Sequence, residues 1–258
     1  MLLYVNDVTT RSARSCKRNR VVNELLKLAI DAHGGMERWE RVSQVEVVLT
    51  ISGGLWRMKG YPQGLPNVTM TFDARTPKAR IASYLQPAHV GHFEADRVWI
   101  ADADGRVLQD RSKPRAALAS NPREHPWDDL HQLYFAGAGF WNYFTTPFLL
   151  ARADVETAEI EPHIENGETW RRLKVKFPPG FPTHSEEQTF YFNQKGLLQR
   201  LDYVTVEGGT AAHYCFDLKA FGGLVFPTLR RVVPRTPKGA MVSGPTVVLV
   251  TVAGVTVS

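Results

Sequence analysis

The chain predicts a mainly β (α+β) fold: a strongly curved antiparallel sheet, or incomplete β-barrel, wrapping one apolar helix, with a further helix at its N-terminal side. Three observations lead there. From Gln44 onward the apolar residues recur every second position, in about a dozen short runs. The links between runs are too short for the crossovers that parallel strands need. Residues 127–144 are apolar on nearly every side, which a helix tolerates only where it is covered on both sides.

The elements follow in order. Val22, Leu25, Leu26, Ala29 and Ile30 stand at helical spacing, and Gly34-Gly35 supply a left-handed stop, so a helix is predicted over 21–33 and a short turn over 36–41. Val45, Val47, Leu49 and Ile51 then alternate with their neighbours, and Gly53-Gly54 read as a turn into a second strand over 55–59. Further strands are predicted over 68–74, 79–85, 90–94, 97–101 and 106–111, with Pro77, Pro87 and Asp104-Gly105 in the links. Residues 112–126 read as a loop rich in Pro, Arg and Asn. Pro126 opens the long helix, with Asp128 and Asp129 suited to its positive end, and Thr145-Thr146-Pro147 break it before one more turn at 148–151. Strands resume over 155–164, 169–177, 185–192, 197–206, 211–218, 224–233 and 247–257. In the long helix, Gly137 and Gly139 permit close approach of backbone or ligand.

Composition bounds the function. With 258 residues, 43% of them hydrophobic, the chain can bury a proper core, and disordered, collagen-like and disulfide-framework classes are excluded. The net charge of +5 arises largely from Arg11, Arg14, Lys17, Arg18 and Arg20, so residues 1–20 read as a disordered basic arm or a mis-assigned start, and 21–258 as a single domain. The remaining basic residues, among them Arg171, Arg172, Arg230 and Arg231, are scattered without interleaved aromatics, which argues against a nucleic-acid partner. No run approaches a membrane span, and the first residues lack the apolar stretch of a secretory signal. Cys16 and Cys215 offer no pairing, and a cytoplasmic location is expected.

Phosphate loops, dinucleotide fingerprints, nucleophile elbows and zinc-protease motifs are missing, and neither a cofactor nor a metal is expected. Among the histidines, His33 reads as a helix C-terminal group. His131 lies three residues after Asp128, either as an imidazole oriented by a carboxylate for general-base work or as part of a plain helix cap. The late hairpins form a second cluster. With Asn193–Gly196 as turn, regular pairing puts His184, Glu186, Gln188, Phe190 and Phe192 on one face with Arg200, Asp202 and Val204, and the next strand sends His213 and Tyr214 to opposite faces. Which face looks inward is open, because a slip of one residue reverses it. The arrangement reads either as polar groups in a cavity or as a solvated ion-pair ladder.

The order helix, meander, apolar helix and second meander resembles the half-barrel of bacterial lipoprotein carriers of the LolA and LolB type and their lipid-binding relatives. Gln188-Thr189-Phe190-Tyr191-Phe192, followed by Gly196-Leu197-Leu198-Gln199-Arg200-Leu201-Asp202-Tyr203, is similar to the late hairpin of that superfamily. The blocks from Ala32 to Trp39 and from Trp141 to Phe148 resemble a bacterial branch of it. The expected function is binding of a hydrophobic or amphipathic small molecule between sheet and helix, by Trp127, Tyr134, Phe135, Trp141, His184, Glu186, Tyr191 and Arg200. Two alternatives stand beside it. One is a cofactor-independent enzyme with His131 or His213 as base and Asp202 or Tyr214 as orienting or donating group. The other is an interaction module with a solid core.

Overall fold

A computed structural model describes residues 23–237 and 239–258, so the expected basic arm lies outside the described residues. The first meander comprises β1 (Gln44–Ser52), β2 (Leu65–Asp73), β3 (Lys78–Ala82), β4 (Val90–Glu94), β5 (Arg97–Ala101) and β6 (Val107–Ser112). The second comprises β7 (Glu156–Glu165), β8 (Glu168–Lys176), β9 (Glu187–Phe192), β10 (Leu198–Val204), β11 (Thr210–Phe221), β12 (Leu224–Pro234) and β13 (Val248–Val257). All thirteen join one antiparallel sheet that runs from β6 through β1, crosses to β13 and continues to β7. The two meanders are zipped at β1 and β13, where Val45 faces Val257 and Ile51 faces Val250. Among the described residues, strands β6 and β7 remain as free edges, so the sheet is curved but open.

Helix α5 (Asp129–Thr145) connects those two edges in sequence, preceded by α4 (Pro114–Ser120) and followed by a 3-10 turn at Phe148–Ala151. Fifteen of its seventeen residues are buried, including Gln132, Asn142 and Thr145, so the sheet encloses it as its apolar circumference predicts. It packs principally against β2–β6. On the N-terminal side, α1 (Glu24–Ala32) buries Leu25, Leu26, Ala29 and Ile30, and is capped by the Asn23 side chain, which accepts from the Leu25 and Leu26 amides. The short α2 (Met36–Glu40) follows, and stacks Trp39 on Phe148 at 4.5 Å.

Four expectations are corrected. Residues 55–59 are not a strand but lie in and just after α3 (Gly54–Met58). Gly53, at φ 123°, passes so close to the start of β13 that a Cβ would lie 2.4 Å from the Val247 carbonyl, and Trp56 turns inward, edge-on to Trp127 and Phe135, with Lys59 buried three residues on. Inward groups three residues apart suit a helix and leave no alternating face. The 112–126 loop contains α4, with Pro114 in its first turn. Helix α5 starts at Asp129 because the Asp128 carboxylate caps it. Gly137 and Gly139 make room for protein side chains, not for a ligand: a Cβ would lie 2.5 Å from Phe93 at the first and 3.2 Å from His184 Nε2 at the second.

Candidate functional site

The inward face of the late hairpin is decided by one irregularity. Leu198 faces Phe192, but Arg200 faces Tyr191 and Leu201 faces Phe190, so Gln199 is the extra residue of a β-bulge. The regular pairing expected from sequence is thereby reversed beyond the bulge. Phe190, Phe192, Leu201 and Tyr203 join the main core, whereas Arg200, Asp202, Tyr191 and Tyr214 share the opposite face. His213 and Tyr214 do point to opposite faces, His213 inward.

On the outer face a second small core of Trp170, Tyr191, Ala212, Tyr214 and Val233 surrounds an ion-pair network. Arg200, only 1% exposed, grips Asp202 through Nε (2.6 Å) and Nη2 (2.9 Å), donates to Glu165 (2.9 Å), and bonds the Gly239 carbonyl at 2.6 Å. Tyr191 donates to Asp202 and Tyr214 to Glu165. Every charge there has a partner, and the network ties the segment after β12 to the sheet. Neither cavity groups nor a solvated ladder describes it; it is a buried structural patch.

The inward face carries a hydrogen-bonded chain. Guanidinium groups only donate, so Arg230 Nη1 donates a hydrogen bond to His213 Nε2 at 3.4 Å. The protonated Nδ1 of that ring then donates to Tyr203 Oη (3.3 Å), Tyr203 donates to Tyr143 Oη (2.9 Å), and Tyr143 donates to His184 Nε2 (2.9 Å). Both histidines are neutral. Burial, with Arg115 nearby, holds His184 down at about 3, and burial, with the Arg230 charge, holds His213 well below the ordinary histidine value. A general base works best with a pKa near the operating pH, so these rings are suited to orienting hydroxyls more than to taking protons. His131 stands apart in the α5 cap, with Nδ1 3.1 Å from Asp128, whose carboxylate Arg111 also holds.

The inner face of β10–β13 carries Leu201, Tyr203, Ala211, Val232 and Val248. A cavity of about 300 Å³ lies there, walled by Leu55, Phe135, Tyr203, Ala211, Val232 and Val248, with Lys59, Arg123 and Glu207 at its polar side. The Lys59 ammonium is fully buried and donates to Glu207 (2.6 Å) and to the Arg123 and His125 carbonyls (2.7 and 3.1 Å); Trp127 Nε1 donates to the same carboxylate oxygen at 3.0 Å. The charges cancel, leaving an apolar chamber with a neutralised ion pair.

Of the residues expected to bind ligand, Phe135 lines this cavity, Trp127 packs behind it on Phe135, and His184 joins the chain that reaches it through Tyr203. Tyr134 packs on Phe93. Trp141 donates to the Asp73 carbonyl, away from the cavity, and Glu186 is exposed. Tyr191 and Arg200 belong to the outer network. Sequence reasoning missed Lys59, Tyr143, Tyr203, Glu207 and Arg230. A signal existed for the last: Leu224, Phe226, Thr228, Arg230 and Val232 alternate along one inward face, with one cation in it. Among the described residues no group of three or more His, Cys, Asp or Glu side chains could hold a metal ion, and no helix is long and apolar enough to cross a membrane.

No protein-family model and no curated protein matches the sequence. Solved structures match its fold. A LolA superfamily protein from Nitrosomonas europaea superposes with a TM-score of 0.55 at 8% identity, over 91% of this chain and 92% of that one. A putative outer membrane lipoprotein-sorting protein domain from Vibrio parahaemolyticus gives 0.52 at 11% identity, over 90% and 92%. A DUF1329 family protein from Desulfovibrio piger gives 0.50 at 10%, over 91% and 92%. The fold is LolA-like, an open sheet around a central helix.

Proposed function

We propose that the protein binds a hydrophobic or amphipathic small molecule in the chamber between β10–β13, α3 and Phe135. The observation that carries this reading is the cavity itself: about 300 Å³ of space walled mainly by apolar side chains, on the inner face of the sheet. That volume lies at the lower end of small-molecule sites and holds roughly ten chain atoms at the volume share of a water molecule. The LolA-like architecture, shared with a lipoprotein-sorting domain, supports the reading. Native mass spectrometry of protein purified from its host tests it. The expected spectrum shows a fraction of molecules carrying an apolar small molecule, released on activation. Protein that is free of any guest and takes up none from a mixture of medium-chain amphiphiles would overturn the proposal.

A further inference from the structure

Among the described residues three cations lie deep in this protein, and two have carboxylates. Lys59 has Glu207, and Arg200 has Asp202 and Glu165. Arg230, fully buried, has none among the described residues. Its contacts there are all neutral: the Tyr143 carbonyl at 3.0 Å, His213 Nε2 at 3.4 Å, Cys215 Sγ at 3.4 Å, and the ring faces of Tyr143 and Phe144 at 5.2 and 5.7 Å. Its Nε has no hydrogen-bond partner among them. Ring faces and carbonyls offset part of the cost of burying an ion, but a buried charge is ordinarily met by an opposite one.

Its position gives the missing charge a place. Ala211 and Val232 wall the cavity, and the next inward residues along the same strands are His213 on β11 and Arg230 on β12. Two residues along a strand span about 7 Å. Tyr203 links the two, lining the cavity and bonding His213 through its hydroxyl. We propose that the ligand is a carboxylate amphiphile bound head-inward, its acid group reaching past the Tyr203 hydroxyl to balance Arg230 while its chain fills the apolar chamber. This rests on the cavity being a ligand site. The competing arrangement puts the head at the mouth on Arg123, which is exposed and makes no ion pair among the described residues.

Calorimetric titration with decanoate and decan-1-ol, which share a chain and differ in the head, separates these. The wild-type protein should bind decanoate at least about tenfold more tightly, the scale of one hydrogen bond to a charged group. In Arg230→Met the preference should vanish while decanol affinity holds, and in Arg123→Ala the preference should persist. Equal affinities in the wild type, a preference that survives Arg230→Met, or one abolished by Arg123→Ala would each overturn the proposal. So would decyl phosphate binding better than decanoate, which would replace the carboxylate by a phosphate head. Failure of both ten-carbon probes would instead overturn the reading of the cavity. Thermal unfolding accompanies each variant; if Arg230→Met does not fold, Arg230→Gln removes the charge while keeping hydrogen-bond donors.

Discussion

Replacing Gly137 by alanine puts a methyl group where α5 meets β4. That carbon would stand 2.5 Å from both Cβ and Cγ of Phe93 and 2.9 Å from Cδ2, against an ordinary contact of about 3.5–4 Å. About 1 Å of separation must therefore come from helix or ring. Phe93 is 1% exposed and packs on Tyr134 at 5.9 Å, so neither side yields freely. In an unconstrained helix the same change would gain about 1 kcal/mol. Overpacking a filled core costs about 1–3 kcal/mol, and the directness of this overlap places it at the upper end. The expected net loss is about 1–2 kcal/mol, a fall in Tm of roughly 2–8 °C for a domain of this size. Urea unfolding of the wild type, Gly137→Ala, Phe93→Ala and the double variant measures it. The double variant should be more stable than the sum of the single losses by over about 1 kcal/mol, because the shortened residue 93 leaves room for the new methyl. A Gly137→Ala protein more stable than the wild type would refute the view that the sheet clasps this helix.

Other outcomes follow from the same structure. His33, His184 and His213 are all held below the ordinary histidine value by burial, His33 at about 4 and His184 at about 3. The unfolded chain therefore takes up protons first as pH falls below about 6.5. Stability should fall with it, by up to about 1.4 kcal/mol per pH unit for each ring until the folded value is reached. Urea midpoints at pH 7.5, 6 and 5 check this, and a flat profile would contradict it. Glu207→Gln leaves the fully buried Lys59 ammonium without its carboxylate and should destabilise the fold by about 3–5 kcal/mol, whereas replacing both members by Met and Leu should recover most of the loss. Equal stability of Glu207→Gln and the wild type by chemical denaturation would show that the pair is not desolvated as described.

Much of the fold is legible in local pattern because alternation and apolar helix periodicity are local properties. The runs Val45–Ile51 and Leu224–Val232 each show their inward face directly, and 127–144 advertises its own burial. The corrections arise where one residue changes a phase or where a neighbour distant in sequence decides. Gln199 bulges, and everything from Arg200 to Val204 changes face; no residue type there signals a bulge as a glycine would. Leu55–Met58 form a helix because Gly53 is pressed against Val247, nearly two hundred positions away in the chain. The site residues were divided on the same ground. His184, at the entry to β9, and His213, on β11, join one inward chain, linked through Tyr143 and Tyr203. His131 is a cap partner of Asp128, and Arg200 with Asp202 forms a separate network beyond the sheet. Lys59 and Glu207, 148 positions apart, could be joined only by tertiary structure.

The most direct test of the central claim fills the chamber. Ala211 is 4% exposed, lies in the cavity wall, and its methyl side chain takes part in neither ion-pair network nor the tyrosine–histidine chain. Ala211→Phe places a ring in a space of about 300 Å³. Fluorescence titration with the neutral apolar probe naphthalene, of a size the chamber can hold, should show saturable binding to the wild-type protein. In the folded variant that binding should be weakened at least about tenfold, since the ring occupies space the guest needs. Undiminished binding in a folded Ala211→Phe protein would mean that the guest sits elsewhere or that no internal site exists.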